Sequence, residues 1–143
     1  MFKTLYDVLS FASEKEQSAY EYYTELAGKM QNPQTRRLFE NIAIQELNHK
    51  RQIDIIRRTT KSASRQIKLD SEMLPKSARP KRKAELPIQN AIMLAIGREE
   101  SAYKLYINLS ETVDDPEIRQ ILITLAEQEA DHRKNLKKAL SKI

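Results

Sequence analysis

Residues 16–49 read EQSAYEYYTELAGKMQNPQTRRLFENIAIQELNH, and residues 99–132 read EESAYKLYINLSETVDDPEIRQILITLAEQEADH. Moving the first stretch 83 positions along the chain lays it on the second without a gap, and 12 of the 34 positions are then identical. The matched pairs are Glu16/Glu99, Ser18/Ser101, Ala19/Ala102, Tyr20/Tyr103, Tyr23/Tyr106, Leu26/Leu109, Pro33/Pro116, Arg36/Arg119, Ala43/Ala126, Gln45/Gln128, Glu46/Glu129 and His49/His132. The two stretches read as copies of one helix–turn–helix unit related by a pseudo-two-fold axis. Asn32-Pro33 and Asp115-Pro116 each place a capping residue before a proline suited to the first helical turn.

Working outward, four segments carry apolar rows whose steps alternate between four and three. They are Leu5, Leu9, Ala12, Glu16, Ala19, Tyr23, Leu26, Met30; then Thr35, Phe39, Ile42, Glu46, His49, Ile53, Ile56; then Ile88, Ile92, Ala95, Glu99, Ala102, Tyr106, Leu109; and Ile118, Leu122, Leu125, Glu129, His132, Leu136, Ala139. Such rows form the inward stripe of a helical bundle. The spacing predicts helices over 3–31, 34–58, 87–113 and 116–142, with Leu86-Pro87 opening the third. Residues 59–86, with Pro75 and Pro80, read as a connection long enough to run the length of a helix. The expectation is an all-α four-helix bundle in a single domain, 1–143. Two antiparallel hairpins are joined by one long crossover, the topology of ferritin-like bundles.

Composition narrows the chemistry. The 143 residues are 40% apolar and 31% charged, with two Gly, five Pro and no Cys. Zinc-thiolate sites, iron–sulfur clusters, disulfides and thiol catalysis are excluded, and the absence of Cys fits a cytoplasmic protein. No apolar run reaches membrane-spanning length, and Met1–Phe11, with Asp7, does not read as a secretory signal. The net charge of +5 is local: residues 57–87 hold ten Lys or Arg against three acids, which leaves the remainder at −2.

The residues that interrupt the apolar rows are the informative ones. Glu16, Glu46, Glu99 and Glu129 sit at the row centres, and His49 and His132, the only histidines, follow two of them by three positions. An i, i+3 pair shares a helix face. Glu16 and Glu46 are equidistant from residue 31, and Glu99 and Glu129 from residue 114, so each pair falls level in its hairpin. Four carboxylates and two imidazoles are therefore expected in one buried layer, while Lys and Arg are absent from the inward rows. Burying an unpaired carboxylate costs at least several kcal/mol. Two divalent cations neutralise the layer. Oxygen and imidazole donors without sulfur suit iron or manganese, and accept zinc.

The pattern Glu-x-x-Ala-x-x-x-Tyr followed by Glu-x-x-His thirty residues after the first Glu, given twice, resembles the rubrerythrin branch of the ferritin-like di-iron carboxylate proteins. That resemblance implies two iron ions per chain, bridged by Glu46 and Glu129. It implies Glu16 and Glu99 as terminal carboxylates, and His49 and His132 as one nitrogen ligand each. Tyr23 and Tyr106 would orient ligand carboxylates. It further implies reduction of hydrogen peroxide or dioxygen, and a homodimer. Typical relatives add a rubredoxin domain with four Cys; without Cys, the electron donor is expected to be a separate protein. An extra Glu common one turn after the third-helix ligand is here Ala102, with Ala19 as its repeat mate. The redox-linked exchange of that Glu with a His is therefore not expected.

Other readings stand beside this one: a ferroxidase or iron-handling protein, an oxygenase using the same centre, or a metal-independent helical module whose basic 57–87 segment holds an anionic partner. No aromatic residue interleaves with the basic cluster, so a base-stacking nucleic-acid surface is not expected. Ile44, Met93, Leu94, Ile96, Ile121 and Ile123 lie off the inward rows and widen the apolar face, which suits either a thicker core or a dimer contact. Tyr20, Tyr22 and Tyr103 read as surface or subunit contacts, and Glu14, Glu40, Glu100 and Glu127 as solvated.

Overall fold

The computed structural model describes residues 4–59 and 87–143. Four helices are present: α1 (Leu5–Lys29), α2 (Pro33–Thr59), α3 (Ile88–Thr112) and α4 (Pro116–Ser141). They form two compact units, a hairpin of α1 with α2 and a hairpin of α3 with α4. The basic connection expected at 59–86 lies outside the described residues apart from Thr59, which ends α2.

The helix ends follow from local chemistry. Thr4 caps α1: its hydroxyl accepts from the Asp7 N–H at 3.1 Å, while the Asp7 carboxylate accepts from the Thr4 N–H at 3.3 Å. Asn32 Oδ1 accepts from the Gln34 and Thr35 N–H groups, and Asp115 Oδ1 from those of Glu117 and Ile118. Both prolines behave as the spacing predicts. Pro87 differs: it stands at the N-cap of α3 rather than inside the first turn, and no side chain caps that end.

Each hairpin turn is closed by an arginine. The Arg36 guanidinium donates two hydrogen bonds to the Met30 carbonyl, at 3.0 and 2.7 Å. Its repeat mate Arg119 donates to the carbonyls of Val113, at 2.8 Å, and Ser110, at 3.2 Å. Met30 and Val113 are the C-caps of α1 and α3, where carbonyls lack helical partners. One arginine per copy therefore satisfies the exit of the first helix and ties it to the second.

Packing in the first hairpin is antiparallel and in register. The Tyr23 ring stacks on Phe39, with centroids 6.2 Å apart, and Ser13 Oγ donates to Asp54 Oδ1 at 2.7 Å. Nearly every inward-row residue is buried. Thr35, Ala19, Ala102, Ile88 and Ala139 are the half-buried exceptions.

Gly97 lies on the exposed side of α3, and a Cβ added there meets no atom within 4 Å. Glycine inside a helix loses more backbone entropy than alanine. Gly97→Ala is expected to raise stability by about 0.5–1 kcal/mol, read as a higher denaturant midpoint with an unchanged slope.

Candidate metal centre

Midway along α1, one helical face carries Glu16; opposite it, α2 presents Glu46 and, less than one turn later, His49. All three are at most 2% exposed. His49 Nδ1 lies 3.1 Å from Glu16 Oε2 and 3.3 Å from Glu46 Oε1. Donor atoms from the three residues lie within 4.8 Å of one another. The level pairing expected from equal distances to the turn is therefore present.

The second hairpin repeats the arrangement. His132 Nδ1 lies 3.4 Å from Glu99 Oε2 and 3.7 Å from Glu129 Oε1, and the three residues are at most 3% exposed. Their donor atoms also fall within 4.8 Å of one another. In both hairpins the same imidazole nitrogen, Nδ1, faces the two carboxylates.

Electrostatics explain that orientation. Burial opposes a charge on His49, but hydrogen bonds to Glu16 and Glu46 and their negative charge overcome it, pushing its pKa up from 6.5 to about 10. At neutral pH the imidazolium proton lies where a cation is wanted. A divalent ion on the same atoms replaces that proton with a larger charge. Two carboxylates and one imidazole, all hard or borderline donors with no sulfur, fit iron, manganese or zinc.

Tyr23 and Tyr106 are both 1% exposed. The Tyr22 ring meets Tyr23 edge-on at 5.7 Å, so Tyr22 is half-buried packing rather than an isolated surface residue. Tyr20 is half-buried and Tyr103 exposed. Glu14, Glu40 and Glu127 are exposed, and Glu100 is half-buried.

One polar cluster escaped the sequence reading. Asp54, buried near the far end of α2, accepts from Ser13 and from Lys50 Nζ at 2.9 Å, and pairs with Arg57 at 3.4 Å. Burial works against its charge, yet the Ser13 hydrogen bond, Lys50 and Arg57 hold its carboxyl below the usual range. Arg57 also reaches Ser10 Oγ and lies over the Tyr6 ring. The i, i+4 spacing of Lys50 and Asp54 was the available signal.

A profile of the rubrerythrin family matches residues 7–139. The chain belongs to the rubrerythrin family. Among solved structures, it is similar to a Thermotoga maritima protein described as ferritin-like and diiron-carboxylate. The identity is 17%, over 99% of this chain and 97% of that one, and the TM-score is 0.86. A Pyrococcus furiosus protein is similar at 23% identity over 96% of this chain and 89% of that one, with a TM-score of 0.77. The search of curated proteins finds no match. This rubrerythrin-family chain thus has the ferritin-like four-helix fold. No described helix is long and apolar enough to cross a membrane.

Because His49 is protonated at neutral pH and a metal on Nδ1 displaces that proton, metal binding should release it. Calorimetric titration with zinc at pH 7, in buffers of different ionisation enthalpy, should show about one proton fewer released by His49→Ala than by the native sequence. A raised pKa stabilises the fold fully below the unfolded value. The metal-free protein should therefore lose stability as pH rises from 6.5 through 10, read by urea melts, and bound zinc should remove that dependence.

Proposed function

We propose that this protein is a di-iron redox enzyme that reduces hydrogen peroxide, or dioxygen, with electrons supplied by a separate donor protein. The observation that carries the reading is the doubled constellation. Glu16, Glu46 and His49, and again Glu99, Glu129 and His132, are withdrawn from water with Nδ1 turned onto two carboxylates. Family membership and the likeness to a protein described as diiron-carboxylate support it.

In this reading each hairpin supplies the protein ligands for one iron ion. Glu16, Glu46 and His49 would hold one iron ion and Glu99, Glu129 and His132 a second, the four Glu as carboxylate ligands and each His through one nitrogen. Four carboxylates balance two divalent cations, and the neutral imidazoles add no charge. When bound, two ferrous ions supply the two electrons that, with two protons, convert one hydrogen peroxide into two waters.

The chain's own residues set the conditions for that reaction. Each of the four carboxylates would offer a metal ion one oxygen or two. Ala12, Ile42 and Ile53 in one hairpin, and Ala95, Leu125 and Leu136 in the other, are buried within about one turn of the ligands on the same helices and exclude water. Tyr23 and Tyr106, both buried, would hold ligand carboxylates in orientation. Ile44, Ile55 and Met93, each more than half exposed, are available for a homodimer contact. A cytoplasmic location fits the absence of Cys.

Protein purified without added metal should contain close to two iron atoms per chain by elemental analysis. A Glu46→Ala/Glu129→Ala variant should hold fewer than one. Anaerobic ferrous protein should be oxidised by one equivalent of peroxide, followed by absorbance. A metal content near zero, or ferrous protein inert to peroxide, rejects the reading. Sedimentation as a dimer supports turnover, whereas a large cage points to iron storage.

A further inference from the structure

Charge is distributed differently along the two hairpins. In the first, the half remote from the turn mixes signs: Asp7, Glu14 and Asp54 stand among Lys15, Lys50, Arg51, Arg57 and Arg58. Asp54 holds two of those bases in ion pairs. In the second hairpin the repeat mate of Asp54 is Lys137. Residues 88–98 and 132–143 contain six bases and no acid, while all nine acids of residues 87–143 lie between Glu99 and Asp131. The second hairpin is therefore polarised, acidic about its turn and basic at its open end.

Five of the six bases, Arg133, Lys134, Lys137, Lys138 and Lys142, follow His132 on α4. Among the described residues none of the five takes part in an ion pair. Lys134, Lys138 and Lys142 stand at i, i+4 and i+8, with Lys137 beside them. All four are exposed, forming a stripe about 12 Å long. Like charges at that spacing weaken a helix. The helix dipole favours cations only near the last turn, which accounts for Lys138 and Lys142 but not for Arg133, Lys134 or Lys137. Exposed and outside the ion pairs of the described residues, the four lysines are available to a negative surface.

We propose that this face of α4 docks a small acidic electron-transfer protein, an inference that rests on the peroxide-reducing reading above. That reaction consumes H2O2 + 2 e⁻ + 2 H⁺ and forms two waters. Two reduced one-electron donors, each oxidised by one electron, and two solvent protons close the balance. With no Cys, the chain has no iron–sulfur group of its own to supply those electrons. The stripe starts two residues past His132, so a partner seated on it lies within about three helical turns of that imidazole. Residues 132–143 contain no Phe, Tyr or Trp on which a base could stack, which disfavours single-stranded nucleic acid.

The test uses a reduced, acidic plant-type [2Fe–2S] ferredoxin as probe, with a Lys137→Glu/Lys138→Glu/Lys142→Glu variant and Arg37→Glu as control. Zinc-loaded, redox-silent protein should bind the oxidised ferredoxin in a salt-sensitive manner. The triple variant should weaken binding at least tenfold, and the control should not. Oxidation of reduced ferredoxin by the iron-loaded protein, followed by stopped flow, should slow at least tenfold in the triple variant. Equal binding by native and triple-variant protein overturns the proposal, whatever the iron centre does. Tighter binding of duplex DNA or anionic vesicles through the same lysines overturns it in favour of a polyanion surface. If binding behaves as expected but peroxide leaves the ferrous protein unoxidised, the docking surface stands and the functional reading falls.

Discussion

Withdrawing carboxylates from water is the constraint around which each hairpin is organised. Glu16 with Glu46, and Glu99 with Glu129, are all at most 2% exposed, with donor atoms within 4.8 Å of each other. Two ionised carboxylates at that separation repel by about 3 kcal/mol at an effective dielectric of 20, before the desolvation of either is counted. A cation must stand between them. Without metal, the His49 imidazolium fills that role, which is why its pKa climbs in spite of burial. With metal, the same nitrogen would become a ligand. One geometry thus serves both states, and the neighbouring apolar rows keep water from relieving the repulsion.

The two copies agree where that constraint acts and diverge where it does not. Glu, Glu, His and the buried Tyr recur in both, as does the arginine that closes each turn. Away from the ligands, the first hairpin buries Asp54 among Ser13, Lys50 and Arg57. The second puts Lys137 at the matching position and leaves its open end uniformly positive.

Particular residues show how far the chain could be read in advance. Helical period and the level placement of Glu16 with Glu46 followed from spacing alone, because an antiparallel hairpin pairs positions equidistant from its turn. The capping roles of Asn32 and Asp115 were equally legible, since a cap acts within one turn of itself. Thr4 and Asp7 carried a capping box that the reading by apolar period passed over, and α1 begins at Leu5, the first residue of its apolar row, two residues later than the expected 3–31 span. Arg36 and Arg119 were visible only as identities between copies. Their partners are carbonyls six and nine residues away across the turns, and no periodicity marks a carbonyl.

From the sequence alone came the four helices, the matched spacing of Glu, Glu and His in the two hairpins and the six ligand candidates, because helical period and residue chemistry are local properties written at fixed intervals. Tertiary structure decided which nitrogen of each histidine meets the carboxylates, that Asp54 is held by Ser13 across the hairpin, and that Tyr22 packs edge-on against Tyr23. Those outcomes depend on side-chain rotamers and on the distance between packed helices, both set when the whole hairpin closes and neither encoded in the spacing of any one helix.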